Sequence, residues 1–421
     1  MKILVVGGGG REHAILWKLA QSRHAPELHA APGNGGIAQL AVCHDVKSTD
    51  LEGQLALARA LAPDFVFVAP DDPLVLGLAD RLREAGIPAF GPSAAAAEIE
   101  GSKVFSKGLM QKYGIPTAPY RAFDDYAQAQ EHLAQQPCWP VVIKADGLAL
   151  GKGVIIAQNP AEAQEALRAM MLEGAFGRAG ARVVVEQFLQ GPEVSVLAFT
   201  DGETLVPMVS AQDHKRAFDG DRGPNTGGMG AFSPSPAYTE EVAARCMERI
   251  FRPTVEAMQA EGRRFEGVLY FGLMIVDGEP MVIEYNCRFG DPETQAVLPL
   301  LQSDLVDICL AVMERRLDRQ PVEWAEGACA CVVLASGGYP GHYTTGHPIC
   351  GLAQAQVQGA LLFHAGTRAA EEGFVTAGGR VLGVTCTGDT LEEAVERAYR
   401  AADCISFEGG RCRRDIGQRP S

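Results

Sequence analysis

Basic tracts, long apolar runs, paired cysteine motifs and low-complexity segments are all missing from this chain, and each absence excludes something. Lys and Arg number 37 against 52 Asp and Glu, a formal net charge of −15. A net-acidic chain with no basic run has no mean field with which to hold nucleic acid or an anionic membrane. Neither partner is expected, and any anionic substrate must be met by cations placed locally. No apolar run approaches the ~18 residues of a membrane helix. The opening Met1-Lys2-Ile3-Leu4-Val5-Val6 reaches glycine too soon to build a signal-peptide core. The eleven cysteines include no CxxC pair, which argues against a disulfide frame and for a reducing compartment. The closest two, Cys329 and Cys331, fall in one apolar run and are expected on opposite strand faces, as reduced core residues. The expectation is a soluble cytoplasmic monomer.

What is present is an ordinary globular balance, 47% hydrophobic and 21% charged, in 421 residues. That length allows about three domains, each large enough to fold on its own core. Residues 1–102 alternate strand-like runs (3–6, 65–68, 87–90) with helix-like stretches (11–21, 51–61, 74–85). This pattern predicts a doubly wound parallel sheet of Rossmann-like type, with ligands at the carboxyl ends of its strands. From Ser102 the character changes to mixed α/β. A helix over 103–113 precedes strands at 141–144, 154–156, 183–186 and 194–199. A helix over 241–261 then leads into a hairpin, 267–276 with 281–286, turning at Asp277-Gly278. The polar stretch 318–326 sets off a small mixed α/β unit, with strands at 328–335 and 380–385 and a helix at 391–402. The domains are expected at 1–102, 103–322 and 323–421, with a mobile subdomain about 120–192.

Several constellations carry chemistry. The loop Gly7-Gly8-Gly9-Gly10-Arg11-Glu12-His13 joins a strand to a helix, where glycines admit a ligand and a helix start offers N–H groups to an anion. It is a poor dinucleotide fingerprint, because Glu12 or His13 falls where the third glycine belongs. A tight turn is one reading and a phosphate-type substrate the other, which Arg11 favours. Lys144 ends an apolar strand, where an ammonium needs an anion. Eight residues on, Lys152 stands between Gly151 and Gly153 in a loop of little bulk, suited to covering phosphate. The spacing is not that of a P-loop. Beyond the strand ending at Glu186, the chain passes Leu189 and turns at Gly191 to Glu193, which fits an adenine-ribose pocket. Period-two alternation puts Glu284 and Asn286 on one strand face, two hard oxygen donors suited to Mg²⁺ or Mn²⁺. Arg288, Gly290, Asp291 and Glu293 follow in an unusually polar run. Residues 213–231, with Asp213, Lys215, Asn225, Gly227 and Gly228, form a long loop dense in functional groups.

In this order, the two lysines, the Glu…Glu pair and E-x-N resemble the ATP-grasp superfamily. Within it, GGGGREHA at 7–14, APGNGG at 31–36, EGSK at 100–103 and IKADGLALGKGV at 143–154 resemble the glycinamide ribonucleotide synthetases (phosphoribosylamine–glycine ligases). So do QDHKR at 212–216, GPNTGGMGA at 223–231, EYNCRFGDPETQ at 284–295, GGYPG at 337–341 and HAGT at 364–367. The resemblance implies a central ATP-grasp domain and the second step of purine biosynthesis. There, ATP, glycine and 5-phosphoribosylamine give ADP, phosphate and glycinamide ribonucleotide through glycyl phosphate. It also implies roles: Lys103, Lys144 and Lys152 on ATP phosphates, backbone at 186–189 on adenine, and Glu193 on ribose. Glu284 and Asn286 would hold the metal, and Arg288 would stabilise the transferring phosphoryl group. Asp213, Lys215 and Asn225 would act from the closing loop. Gly9, Gly10, Arg11, Glu12, His13, Asp71, Gly227, Gly228 and Asp291 would serve the substrates.

The chain departs from the family pattern at Gly8, where Asn is usual, and at Asp71, one methylene shorter than the usual Glu. Gln187 replaces a common Glu, and no acidic residue stands on strand 269–275 to add a metal ligand. Three rivals compete: an ATP-grasp ligase for another acid or amine, a dinucleotide oxidoreductase and a noncatalytic nucleotide scaffold. The runs at 223–231 and 288–295 oppose the first, the failed glycine fingerprint the second, and the filled metal and phosphate positions the third.

Overall fold

The computed structural model describes residues 1–148, 153–174 and 177–418. The N-terminal sheet has five parallel strands, in the spatial order Val42–Cys43, Glu27–Pro32, Lys2–Gly7, Phe65–Val68 and Ala89–Phe90. Strand order reverses beside the first strand, so the glycine loop after Gly7 lies at a topological switch point, the usual ligand crevice of such sheets. The doubly wound expectation holds. Helix 74–85 does not form as one piece: the chain makes Asp71–Val75 and Leu78–Glu84, divided at Gly77 with φ +87°. A residue in that left-handed conformation ends a helix.

The central region holds two antiparallel four-stranded sheets. One comprises Tyr120–Phe123, Val183–Gln187, Val141–Ala145 and Val154–Ala157. The other runs Leu205–Pro207, Glu193–Thr200, Gly267–Val276 and Glu279–Asn286. Its hairpin turns where expected, with Asp277 at φ +50° and Gly278 at φ +81°. Two successive left-handed residues give the turn whose twist matches paired strands. The helix expected over 241–261 is interrupted by a π-turn, Met247–Phe251, between Glu240–Cys246 and Arg252–Ala260. Pro253 has no N–H to give to the preceding turn, and a widened turn accommodates it.

The last sheet is built from both sides of residue 322. Its order is Gln212–Asp213, Gly230–Ser233, Ala328–Ala335, Arg380–Gly388 and Leu361–His364, and Leu391–Ala402 covers it. The first two strands belong to the loop that carries Asp213 and Lys215, so that loop is anchored at both ends. Cys329 and Cys331 do not point to opposite faces. Two residues apart, they share one, buried with Ala231, Ala296 and Val333. Among the described residues no helix is long and apolar enough to cross a membrane.

Phe289 joins the N-terminal and central units. It is buried, with its ring 6.2 Å from Phe67 of the first sheet and 6.1 Å from Phe199 of the central one. Phe289→Ala should therefore destabilise the protein by about 3–5 kcal/mol, the range for a buried aromatic truncated to alanine. A urea denaturation curve indistinguishable from wild type would contradict this packing role.

Candidate active site

The sheets enclose an open cleft of about 1660 Å³. A single drug-sized ligand occupies roughly 300–1,000 Å³, so there is room for more than one substrate. Lys103, Lys144, Gly153, Glu186, Leu189, Glu193, Asp213, Lys215, Asn225, Gly227, Glu284, Asn286, Arg288 and Asp291 all line it, as do Arg11 and Asp71. Gly151 and Lys152 lie outside the described residues.

One wall is cationic. Lys144 donates to the Ile283 carbonyl at 2.8 Å and stands 3.0 Å from Glu186 Oε1. The other Glu186 oxygen lies 2.9 Å from Lys107, a residue that sequence reading passed over. Lys103 donates to the Gly147 carbonyl at 2.8 Å. Burial lowers Lys103 and pulls Lys107 down to about 8, because an ammonium loses its water there. The Glu186 side chain is thus a partner of two lysines, which leaves its backbone to any adenine.

Two strands of the central sheet carry Glu193 and Glu284. Lys215 Nζ lies 3.1 Å from both Glu193 and Glu284. The Lys215 ammonium, supported by Lys144 and Lys103 against burial, holds Glu284 down to about 2. Burial raises Asp213 well above the usual carboxylate range, and Glu293, Glu193 and Glu284 add to the shift against Lys215. Glu293 accepts hydrogen bonds from Tyr270 at 2.9 Å and Ser195 at 3.3 Å. Opposite Glu284 stands Gly272, where a Cβ would lie 2.7 Å from Glu284 Cγ. The missing side chain on that strand makes room for the carboxylate. Together Glu284 and Asn286 offer an ionised carboxylate and an amide oxygen on one face, a donor set that fits a hard divalent cation.

Arg288 is buried between two anions. Its Nη2 is 2.6 Å from Glu100 and 3.3 Å from Asp71, and 3.4 Å from Asn286 Oδ1. Glu100 also accepts the Cys287 N–H at 2.7 Å. Although burial opposes it, Arg288 is raised by Glu100 and Asp71, and Asp71 is in turn lowered by Arg288 and Arg11 against its own burial. Glu100 was quoted within a motif but given no role, since its partner is 188 residues away.

The glycine loop is arranged differently from the sequence expectation. Glu12 Oε2 accepts the Gly9 N–H at 2.6 Å, and a Cβ at Gly7 would lie 2.5 Å from Glu12 Cγ. The glycines make space for a carboxylate of the chain itself, which accepts one N–H of the helix start. Glu12 also binds Arg11 Nε at 2.6 Å. His13 is buried against the last unit, accepting the His364 N–H at 2.8 Å, and burial with His364 nearby lowers it to about 3. Glu12 and His13 are therefore supports of the loop, and neither lines the cleft. A Cβ at Gly10 would meet Gln295 at 2.7 Å, and one at Gly9 would meet Glu12 at 2.8 Å, so both glycines serve packing. Gly228, at φ +108°, packs on Pro292. Arg380 of the last unit fastens this corner, donating to the Asp291 carboxylate at 2.8 Å, the Asp291 carbonyl at 2.9 Å and the Gly227 carbonyl.

Residues 1–100, 101–294 and 329–419 match the N domain, ATP-grasp (A) domain and C domain of phosphoribosylglycinamide synthetase. The chain is 50% identical over 422 residues to the phosphoribosylamine–glycine ligase of Allochromatium vinosum, covering 100% of this chain and 98% of that one. Against the enzyme of Escherichia coli K12 it is 50% identical over 423 residues, with coverage of 100% and 98%. The crystal structure of phosphoribosylamine–glycine ligase from Thermotoga maritima is similar at a TM-score of 0.87 and 35% identity, over 99% of this chain and 100% of that one. A biotin carboxylase domain from Hydrogenobacter thermophilus, solved with MgADP, shares the fold at a TM-score of 0.74 and 18% identity, over 97% and 91%. Fold and cleft define an ATP-grasp ligase. Matched from end to end, the chain belongs to the phosphoribosylglycinamide synthetase family, the phosphoribosylamine–glycine ligases.

The Lys215–Glu284 pair has a measurable consequence. Glu284 lies near 2 in the fold against 4.5 ordinarily, so the pair contributes stability above about pH 4.5 that is lost as pH falls toward 2. Between about pH 5 and pH 3, the urea midpoint of the ligand-free wild type should fall more steeply than that of Glu284→Gln. Parallel curves would remove the pairing.

Proposed function

We propose that this cleft joins glycine to 5-phosphoribosylamine at the expense of ATP, the ligation step of purine biosynthesis, through glycyl phosphate. A carboxylate resists attack by an amine, so the γ-phosphoryl group passes first to a glycine carboxylate oxygen. The amine nitrogen then attacks the carbonyl carbon, the C–O bond to phosphate breaks, and the nitrogen gives up a proton. Inorganic phosphate and glycinamide ribonucleotide leave with ADP. No enzyme nucleophile is needed, and the protein's task is orientation and charge neutralisation.

The observation that carries this reading is that Lys103 and Lys144 line the same cleft as Glu284 and Asn286, with Lys144 bonded to the carbonyl just before Glu284. The lysines receive the phosphates, and the 186–189 backbone and Glu193 receive adenosine. Glu284 and Asn286 would hold Mg²⁺ or Mn²⁺, which when bound neutralises phosphate charge and aligns the transferring group. Arg288 offers a planar cation to the phosphoryl group or the acyl phosphate. Arg11, Asp71, Gly227 and Asp291 also line the cleft and suit the phosphoribosylamine. Asp213, Lys215 and Asn225 reach in from the loop that the last sheet anchors, and they shield the acyl phosphate from water. The sheet of residues 120–187 closes over ATP as the mobile wall. The same reading places the enzyme in the cytoplasm as a monomer, where its eleven free thiols stay reduced.

Release of ADP should require both glycine and phosphoribosylamine, measured in a coupled spectrophotometric assay. Turnover with a different acid or amine, and none with this pair, would overturn the assignment. Lys144→Met should raise the KM for ATP about tenfold, the worth of one charge-assisted phosphate contact. An unchanged KM would remove Lys144 from the phosphate site.

A further inference from the structure

Among the described residues, Lys107 is the one cleft lysine to which the proposed reaction gives no task. It stands one turn beyond Lys103 on the helix Lys103–Tyr113, and its side chain is 3% exposed. An ammonium has three donors. That of Lys107 meets Glu186 Oε2 at 2.9 Å, donates to Thr117 Oγ1 at 2.7 Å, and lies 5.6 Å from the centre of the Tyr120 ring. Thr117 is itself fixed, donating to the Val282 carbonyl at 2.6 Å. These groups of the protein enclose the Lys107 ammonium, whereas the Lys144 side chain is 10% exposed. Lys144 is arranged otherwise. One donor goes to the Ile283 carbonyl, while Glu186 Oε1 faces the ammonium at 3.0 Å without an aligned hydrogen bond. The remaining donors can turn to a phosphate.

Charge counting gives Lys107 its meaning. A lone Glu186 beside Lys144 would form a closed, neutral pair, and an incoming phosphate would have to compete with a buried carboxylate for the same ammonium. With a lysine on each oxygen, the three groups sum to +1, and the carboxylate's demand is divided. We propose that Lys107 is a positioning residue that neutralises Glu186, so that Lys144 keeps its charge and its free donors for the phosphates of ATP. This rests on the assignment of Lys144 to ATP given above. It adds a residue that acts on the nucleotide only through another side chain.

The test is a double-mutant cycle on the full-length enzyme, read as the KM for ATP with glycine and phosphoribosylamine saturating. Lys107→Met should raise that KM about tenfold, with a smaller change in kcat, and Lys107→Arg should recover most of the loss. The deciding variant is Lys107→Met/Glu186→Gln. Once the carboxylate is an amide, nothing draws Lys144 away, and the KM should return to within about threefold of that of Glu186→Gln alone. Should Lys107→Met prove insoluble, the comparison of the double variant with Glu186→Gln decides the matter by itself. A double variant still tenfold worse than Glu186→Gln means that Lys107 touches ATP or serves only the fold, and the proposal fails. A wild type that forms no ADP with both substrates present refutes instead the reaction assigned to the cleft, so the two failures are distinguishable.

Discussion

The cleft is governed by the cost of keeping ammonium and guanidinium groups together away from water. Taking an ion out of water costs several kcal/mol even after relaxation, and a cation held so is stable only when carboxylates share it. Lys107 and Lys144 share Glu186, and Lys215 stands between Glu193 and Glu284. Arg288 stands between Asp71 and Glu100. In a chain of net charge −15, four cations are thereby held in the cleft beside five carboxylates.

The same pairs also hold the architecture in register. The partners of Arg288 come from the N-terminal unit, whereas the arginine follows the last strand of the central sheet. Lys215 belongs to the loop between two strands of the last sheet, yet its anions lie on two strands of the central one. Arg380 reaches from the last sheet to the Asp291 corner and the 227–228 backbone. The contacts of Arg288, Lys215 and Arg380 therefore each join two units. A site assembled in this way can lose one contact and reform it without unfolding any of its units, which suits an enzyme that must open to admit three substrates.

Local chemistry was legible in the sequence, and distant pairing was not. Glu284 and Asn286 could be placed on one face because a strand's period is two, and Lys144 stood out because an ammonium at the end of an apolar strand needs an anion. The same rule, applied correctly, would have put Cys329 and Cys331 on one face. Lys107 was overlooked because a second lysine one turn along a helix is ordinarily a solvated neighbour, and its burial arises from tertiary packing against Glu186, Thr117 and Tyr120. Glu100 carried no role in the sequence, and Asp71 was legible as a substrate residue but not as a partner of Arg288, because that partner is about two hundred positions away. The glycine loop misled for a different reason. Gly9 followed three residues later by Glu12 has the spacing of a capping box as well as that of a ligand loop. In the structure Glu12 accepts the Gly9 N–H, as a capping box does.

One hydrogen bond links the two sides of the proposed phosphate site. Lys144 lies on the sheet of residues 120–187 and Glu284 on the sheet of residues 193–286, so nothing in either sheet alone fixes the distance between them. The Lys144 ammonium donates to the carbonyl of Ile283, the residue immediately before Glu284. A lysine that grips that carbonyl cannot shift along the strand without breaking a charge-assisted bond in a buried setting. The separation between the cation and the carboxylate is thereby set by a single peptide unit. A phosphoryl group lying between them would find both in register on arrival, with reorganisation confined to the donors that Lys144 turns away from Glu186. Electrostatic preorganisation of this kind contributes most where water is excluded and the groups need not move.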